Sequence, residues 1–337
     1  MRTLYLDCVS GISGDMLLAA LVDLGADLEY VKRELMKLPV DEFDLWVETV
    51  DKRGIAAKKL HIRLPQTAAH HHTHAHDHAH SHDHDHSHSH AHDHAHSHDH
   101  HHDGIYEHLH EHRKAAEIME MIRESDLPER VKSRSLCIFE AIALAEGKIH
   151  GIDPMEVHFH EVGAMDSIID TIGICLALED LDVDKIQASP VPTGYGKLKM
   201  AHGLYPIPAP ATAELLKGIP LAPSHSHGEL TTPTGAGILK ALVTRFGPLE
   251  NITVEQIGYG AGTKNFEVPN VIRVLLGQTN EPGTGKVSVG EELAGGEIPR
   301  EDVAATIVAV LNEEHTFKRG FDLISGETPI ADALKTI

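Results

Sequence analysis

Between His70 and Asp103 the chain carries 34 residues, of which 19 are His and six are Asp, the rest being Ala, Ser and one Thr. No part of such a run can be buried against an apolar core, so it reads as a disordered insertion. Sequence with ordinary apolar periodicity lies on both sides of it. The fold must therefore be assembled from two segments that meet where the tract leaves and returns. An insertion of this length is tolerated, because closure entropy grows only with the logarithm of loop length.

The flanks set the fold class. Thr3–Asp7 alternates as a strand, Cys8–Ile12 is turn-rich, and Ser13 is placed to cap a helix over Gly14–Leu24. Asp27 can cap a second helix through Leu38, and strands follow at Phe43–Val50 and Lys58–Leu64. This order predicts an α/β fold, a mixed sheet with helices, interrupted by the disordered His-rich insertion at residues 69–103. Past the tract, helices are expected over Ile105–Ser125, Pro128–His150 and Val162–Leu181. The last has Ile168, Ile169, Ile172, Leu176 and Leu178 as its buried stripe. A strand at Lys185–Ser189, a proline-rich stretch from Pro190 to Pro223 and a helix at Thr234–Phe246 come next. Strands at Asn251–Ile257 and Asn270–Leu276 enclose a glycine-rich turn, Gly258–Gly262. Residues 1–277 form one module and residues 278–286 have the composition of a linker. Residues 287–337 make a small last unit whose helix Arg300–Leu311 carries an apolar face of Val303, Ile307, Val310 and Leu311.

Composition narrows the function classes. With only 4% aromatic residues among 337, the core is mostly aliphatic. A formal charge of −22 argues against nucleic acid and anionic membranes as partners. The three cysteines, Cys8, Cys137 and Cys175, include no C-x-x-C pair, which fits a reducing compartment. No apolar run approaches the roughly 18 residues of a membrane helix. Asp7 and Asp15 interrupt the apolar N-terminal stretch, so no signal peptide is read there. A cytoplasmic protein is expected.

The tract is the strongest chemical signal. Neutral imidazole ligates nickel, copper and zinc. Alternate positions supply His70, His72, His74, His76, His78, His80, His82, His84, His86, His88, His90, His92, His94, His96, His98, His100 and His102. No single geometry is encoded, so exchangeable binding of several ions is expected, as storage or delivery requires. A second constellation runs from His158 to Asp170. His158 and His160 point the same way if extended, and Asp166 and Asp170 share a helix face at i, i+4. With Glu161 these residues can hold a divalent metal or supply a general base. The plain alternative is a helix start with acidic residues near its positive dipole end. A looser third set comprises Asp7 and Asp15 around the first turn, His202, and Glu229, Thr231 and Thr232 before a helix start that can take a phosphate. No dinucleotide or P-loop glycine fingerprint is present.

Six stretches occur in the order and spacing of one family. They are Asp7–Asp15 (DCVSGISGD), the internal His/Asp tract, His158–Asp170, Ala201–Leu215 (AHGLYPIPAPATAEL), Glu229–Leu239 and Gly258–Gly262. Over residues 1–277 the chain resembles the LarC family of nickel-insertion proteins. The resemblance implies a chelatase-like lyase that completes the nickel-pincer cofactor of lactate racemase. Such an enzyme inserts Ni2+ into pyridinium-3,5-bisthiocarboxylic acid mononucleotide, forming one carbon–nickel and two sulfur–nickel bonds. It implies CTP with Mg2+ or Mn2+ as co-substrate, and a homo-oligomer is expected. The family's C-terminal CTP-binding domain is not read here, so a separately encoded one is the expected partner. On the same resemblance, His158, His160, Glu161, Asp166 and Asp170 are the acid–base and ligand candidates. Asp7, Asp15, His202, Glu229, Thr231 and Thr232 would hold the nucleotide. Residues 287–337 instead resemble the tail of an atypical short-chain dehydrogenase, through GGEIPREDVAATIVAVLN and FDLISGETPIADAL. The competing reading is a non-enzymatic nickel store or delivery protein.

Overall fold

The computed structural model describes residues 1–64, 113–159, 165–200, 203–224, 226–279, 284–290, 293, 295–296, 298–317 and 319–336. The expected disordered insertion, 69–103, lies outside them. Before the tract the elements are β1 (Arg2–Asp7), α1 (Gly14–Asp23), α2 (Leu28–Leu35), β2 (Asp44–Lys52) and β3 (Ile55–Arg63). The β2–β3 hairpin turns on Arg53 and Gly54, with φ of +56° and +85°. Positive φ at both turn residues gives the twist that a two-residue hairpin needs. After the tract come α3 (Ala115–Glu124), α4 (Glu129–His150), α5 (Met165–Asp180) and β4 (Lys185–Ala188). The stretch read only as proline-rich holds β5 (Gly194–Tyr195), β6 (Lys197–Met200), β7 (Gly203–Pro206) and α6 (Pro210–Leu215). Next are β8 (Gly228–Glu229), α7 (Pro233–Leu242), β9 (Arg245–Phe246), β10 (Ile252–Ala261) and β11 (Val271–Thr279).

Both flanks of the tract build one seven-stranded sheet, in the order β2-β3-β10-β11-β1-β4-β9. β1 runs antiparallel to β11 and parallel to β4, so the first strand is enclosed by two from beyond the insertion. α1 packs on β10, β3 and α5, and α5 is enclosed by α1, α2 and α4. The expected stripe of α5 is buried, and so is every residue from Ile168 to Leu178. A helix in the middle of a helical layer has no solvent face to keep polar. Gly173 makes this possible, because a methyl there would lie 2.9 Å from Leu18 Cδ2.

Two readings need correction. Gly258–Gly262 is no turn: Gly258 and Gly260 lie inside β10. A methyl on either would overlap a main-chain carbonyl of α1, that of Ala20 or of Met16. The glycines let the helix lie close on the sheet. The helix expected over Thr234–Phe246 stops at Leu242, and Arg245–Phe246 joins the sheet as its edge. Thr244 N donates to Ile186 O and Gly247 N to Ala188 O, both at 2.9 Å, so ladder bonds to β4 replace the last helical turn.

The final segment has β12 (Lys286–Gly290), α8 (Arg300–Val310), β13 (Asp322–Ser325), β14 (Thr328–Pro329) and α9 (Ile330–Ala333). Its three strands pair in the order β13-β12-β14 over a small core of Val287, Ile330, Ala333 and Leu334. The apolar face expected on α8 stays partly open, with Ile307 59% and Leu311 80% exposed. α8 turns Asp302 inward instead, where its carboxylate accepts from Thr284 N at 2.8 Å and Gly285 N at 2.7 Å.

Candidate functional site

The start of α1 and the start of α7 are tied together. Ile12 pairs with Thr231 in a parallel bridge, with Ile12 N donating to Leu230 O at 3.0 Å and Thr232 N to Ile12 O at 3.1 Å. Gly235 permits this approach, since any side chain there would strike the Ile12 carbonyl. The two helix starts differ. Thr232 caps α7 by accepting from Gly235 N at 3.2 Å, and Pro233 fills the first turn. Ser13 sits at the cap position of α1, but its hydroxyl donates to the Asp15 carboxylate and makes no cap hydrogen bond to the helix. α5 brings Asp166 and Asp170 to the same place. A methyl on Gly14 would lie 2.7 Å from Asp170 Oδ2, so only glycine lets α1 begin against that carboxyl.

Around these starts lies a cleft of about 530 Å3. Ser13, Gly14, Asp15, Asp166, Ser167, Asp170, Glu229, Thr232, Pro233 and Thr234 line it, with Leu60 and Ile62 from β3 and Leu198 and Lys199 from β6. Each helix start contributes about half a positive charge. Asp170 is 9% exposed, and its Oδ1 has no hydrogen-bond partner among the described residues. Burial, and after it the charges of Asp15 and Asp166, hold its carboxyl well above the usual carboxylate range. A neutral acid so placed donates a hydrogen bond, and once ionised it is a far better base than an exposed carboxylate.

The cleft unites Asp15, Asp166, Asp170, Glu229 and Thr232 from the sequence candidates. Thr231 is fully buried and its hydroxyl donates to Pro192 O at 2.8 Å, which makes it part of the joint below the cleft. Asp7 is paired with Arg273, whose Nε lies 2.9 Å away, and lines a separate groove with Cys8 and Pro190. His158 is exposed, bridges to Lys114, and is not among the lining residues. His160, Glu161, His202 and all nineteen tract histidines, the seventeen candidates from His70 to His102 among them, lie outside the described residues. Among the described residues, no group of three or more His, Cys, Asp or Glu is placed to hold a metal ion. Burial pushes the thiols of Cys8 and Cys175 up to about 12, which leaves both protonated at neutral pH. Lys199, Leu60 and Ile62 were not singled out from the sequence. The alternation Lys197-Leu198-Lys199-Met200 ahead of a glycine is a hairpin signal that could have found the first.

The fold and the cleft define an α/β protein that gathers helix starts and carboxylates around a ligand-sized opening. Residues 4–294 match the nickel insertion protein family, and the chain belongs to it. It is 51% identical over 288 residues to the pyridinium-3,5-bisthiocarboxylic acid mononucleotide nickel insertion protein of Staphylococcus saprophyticus, covering 86% of this chain and 63% of that one. The protein of the same name from Geobacillus kaustophilus is 44% identical over 82% of this chain and 60% of its own. That from Desulfitobacterium hafniense is 40% identical over 86% and 62%. The chain thus spans about six tenths of the length of these curated relatives. These matches lend no support to the dehydrogenase likeness of residues 287–337. No solved structure matches. Among the described residues, no helix is long and apolar enough to cross a membrane.

Proposed function

We propose that this chain takes part in inserting nickel into pyridinium-3,5-bisthiocarboxylic acid mononucleotide, the substrate in its relatives' names, and that the cleft is the insertion site. The observation that supports this best is Asp170, a buried acid beside Asp15 and Asp166 whose Oδ1 has no hydrogen-bond partner among the described residues. Making a carbon–nickel bond removes a proton from the pyridinium ring, so the reaction needs a base next to the incoming cation. As Ni2+ approaches, its charge favours the carboxylate and Asp170 loses its proton to solvent. The carboxylate then takes the ring proton as the carbon–nickel bond forms, while the two thiocarboxylates supply sulfur ligands. His158, His160 and Glu161 remain candidates to pass the ion inward.

The tract would be the nickel source. His70 is eight residues beyond Ile62 of the cleft wall, a reach of at most about 29 Å. CTP with Mg2+ or Mn2+ would be the co-substrate, bound by a CTP-binding domain of the kind the resemblance implies. The dehydrogenase-tail reading of residues 287–337 rests on their sequence alone. The test combines the chain with a CTP-binding domain, nickel, CTP and substrate, and reads activation of lactate racemase. Asp170→Asn is expected to abolish activation while bulk nickel binding by the tract survives. Undiminished activation would refute the assignment.

A further inference from the structure

α8 is packed inside out. The two residues it buries are polar, Asp302 and Thr306, while Ile307, Val308 and Leu311 are all more than half exposed. Hydrogen bonds fix this orientation. The Asp302 carboxylate accepts from Thr284 N, Thr284 Oγ1 and Gly285 N, and the Thr306 hydroxyl donates to Asp302 O at 2.7 Å. Rolling the apolar face inward would strip a buried carboxylate of all three donors, so that face can only be covered from outside. From Val303 to Leu311 no residue is charged. Ala304, Ile307 and Leu311 repeat at the three- and four-residue spacing by which two helices pack along their length. Two exposed charges close the stripe. Arg300 stands four residues before Ala304, at the first position of the helix, and Glu314 three residues after Leu311, in the turn that follows. Each has the wrong sign for its own end, since a helix start is positive and its finish negative.

We infer that this face pairs with the same face of a second copy of the chain, two α8 helices lying antiparallel about a two-fold axis near Ile307. A two-fold contact must be self-complementary, and the stripe is: reversing it exchanges Arg300 with Glu314 and small Ala304 with large Leu311. Arg300 then lies beside the partner's Glu314 at both ends of the pair. Each charge also meets the end of the facing helix that favours it, which the helix it belongs to does not offer. A parallel pair would instead oppose Arg300 to Arg300 and Glu314 to Glu314. One helix face is well below the roughly 800 Å2 that each partner gives to a standard interface, so the pairing is weak and depends on concentration. α8 lies beyond residue 294, where the family match ends, and the inference is independent of the reaction proposed for the cleft.

Sedimentation velocity of the full chain tests this, in chelator so that nickel cannot bridge two histidine tracts. Between about 1 and about 200 µM the mass is expected to rise from that of one chain, 36.8 kDa, towards that of two. Arg300→Glu and Glu314→Arg each turn two attractions into two repulsions and should weaken the dimer about tenfold. Both put a favourable charge at a helix end, so neither should harm folding. The two single variants, mixed in equal amounts, should pair with each other about as tightly as the parent pairs with itself, and the double variant should recover likewise. A chain that stays single at about 200 µM overturns the inference. So does a dimer that neither substitution weakens, or single variants that fail to recover on mixing. Ile307→Asp, on the axis, should give single chains whose melting point at low concentration equals the parent's. A lower one would mean that the chain covers this face itself, against the inference.

Discussion

Asp170 is costly where it sits. Its folded-state proton affinity is raised by burial and by Asp15 and Asp166, so between the unfolded and folded pKa the native state binds more protons than the unfolded one. Stability from this residue is therefore lost as pH rises above the ordinary carboxylate range, the reverse of a salt-bridged Asp. Asp170→Asn keeps the shape and removes the ionisation. The variant is expected to melt higher than the parent near pH 7.5, by about 2–4 °C for each kcal/mol recovered, and to match it near pH 4. Thermal melts at the two pH values check this, and a lower melting point at pH 7.5 would contradict it. A gain in stability together with lost maturation would mark Asp170 as kept for function. At this scale the sequence showed half the site. Asp166 and Asp170 are visible through their i, i+4 spacing and Asp15 through its place after a strand. Lys199 is not, because a lone lysine in a proline-rich stretch looks like any solvated side chain.

The contact between α1 and β10 decides where the cleft's floor lies. Gly260 lets the Met16 carbonyl approach to a distance that no side chain permits. Gly260→Ala must push the helix outward, at a cost of about 3 kcal/mol, the upper end for overpacking. Gly295→Ala has nothing within 4 Å to meet and should change stability by under about 0.5 kcal/mol. Urea unfolding of both checks the difference, and equal midpoints would show that α1 does not depend on Gly260. A related expectation concerns the joint of α1 and α7. Thr232→Ala removes the cap of α7 and should cost about 1 kcal/mol by the same measurement. The glycines explain a misreading too. In a sequence, glycine signals either positive φ or close approach, and only the partner surface distinguishes them. The strands β1, β2, β3 and β11, with α4 and α5, were legible because long apolar periodicity has one reading. The short strands β5 to β8 were not, since two to four residues carry no period.

At the scale of the whole chain, both ends of the described body are tied to one another. β11 runs to Thr279, past Gly277, and Gln278 pairs with Arg2 while Thr279 bonds the Thr3 hydroxyl at 2.9 Å. A chain ending at Thr279 keeps these bonds and loses only residues with their own small core. It is expected to retain its circular dichroism and its nickel, and precipitation would show that the last segment completes the fold.

Removal of the tract asks a different question. Deleting residues 69–103 takes away 19 of the 30 histidines and leaves every described element in place. If the protein only stores nickel, stoichiometry and cofactor maturation fall together. If the cleft inserts nickel, stoichiometry collapses while maturation continues when the ion is plentiful, because the tract only raises the local supply. Protonation gives an internal control. Imidazole ligates only when neutral, so the intact chain should release its bulk nickel between about pH 7 and 5. The deleted chain has no such pool to release, and its remaining nickel follows the carboxylates and histidines outside the tract. Equilibrium dialysis of both chains across that range separates the two pools. Nickel held unchanged by the intact chain at pH 5 would mean that the histidines of the tract are not what holds it.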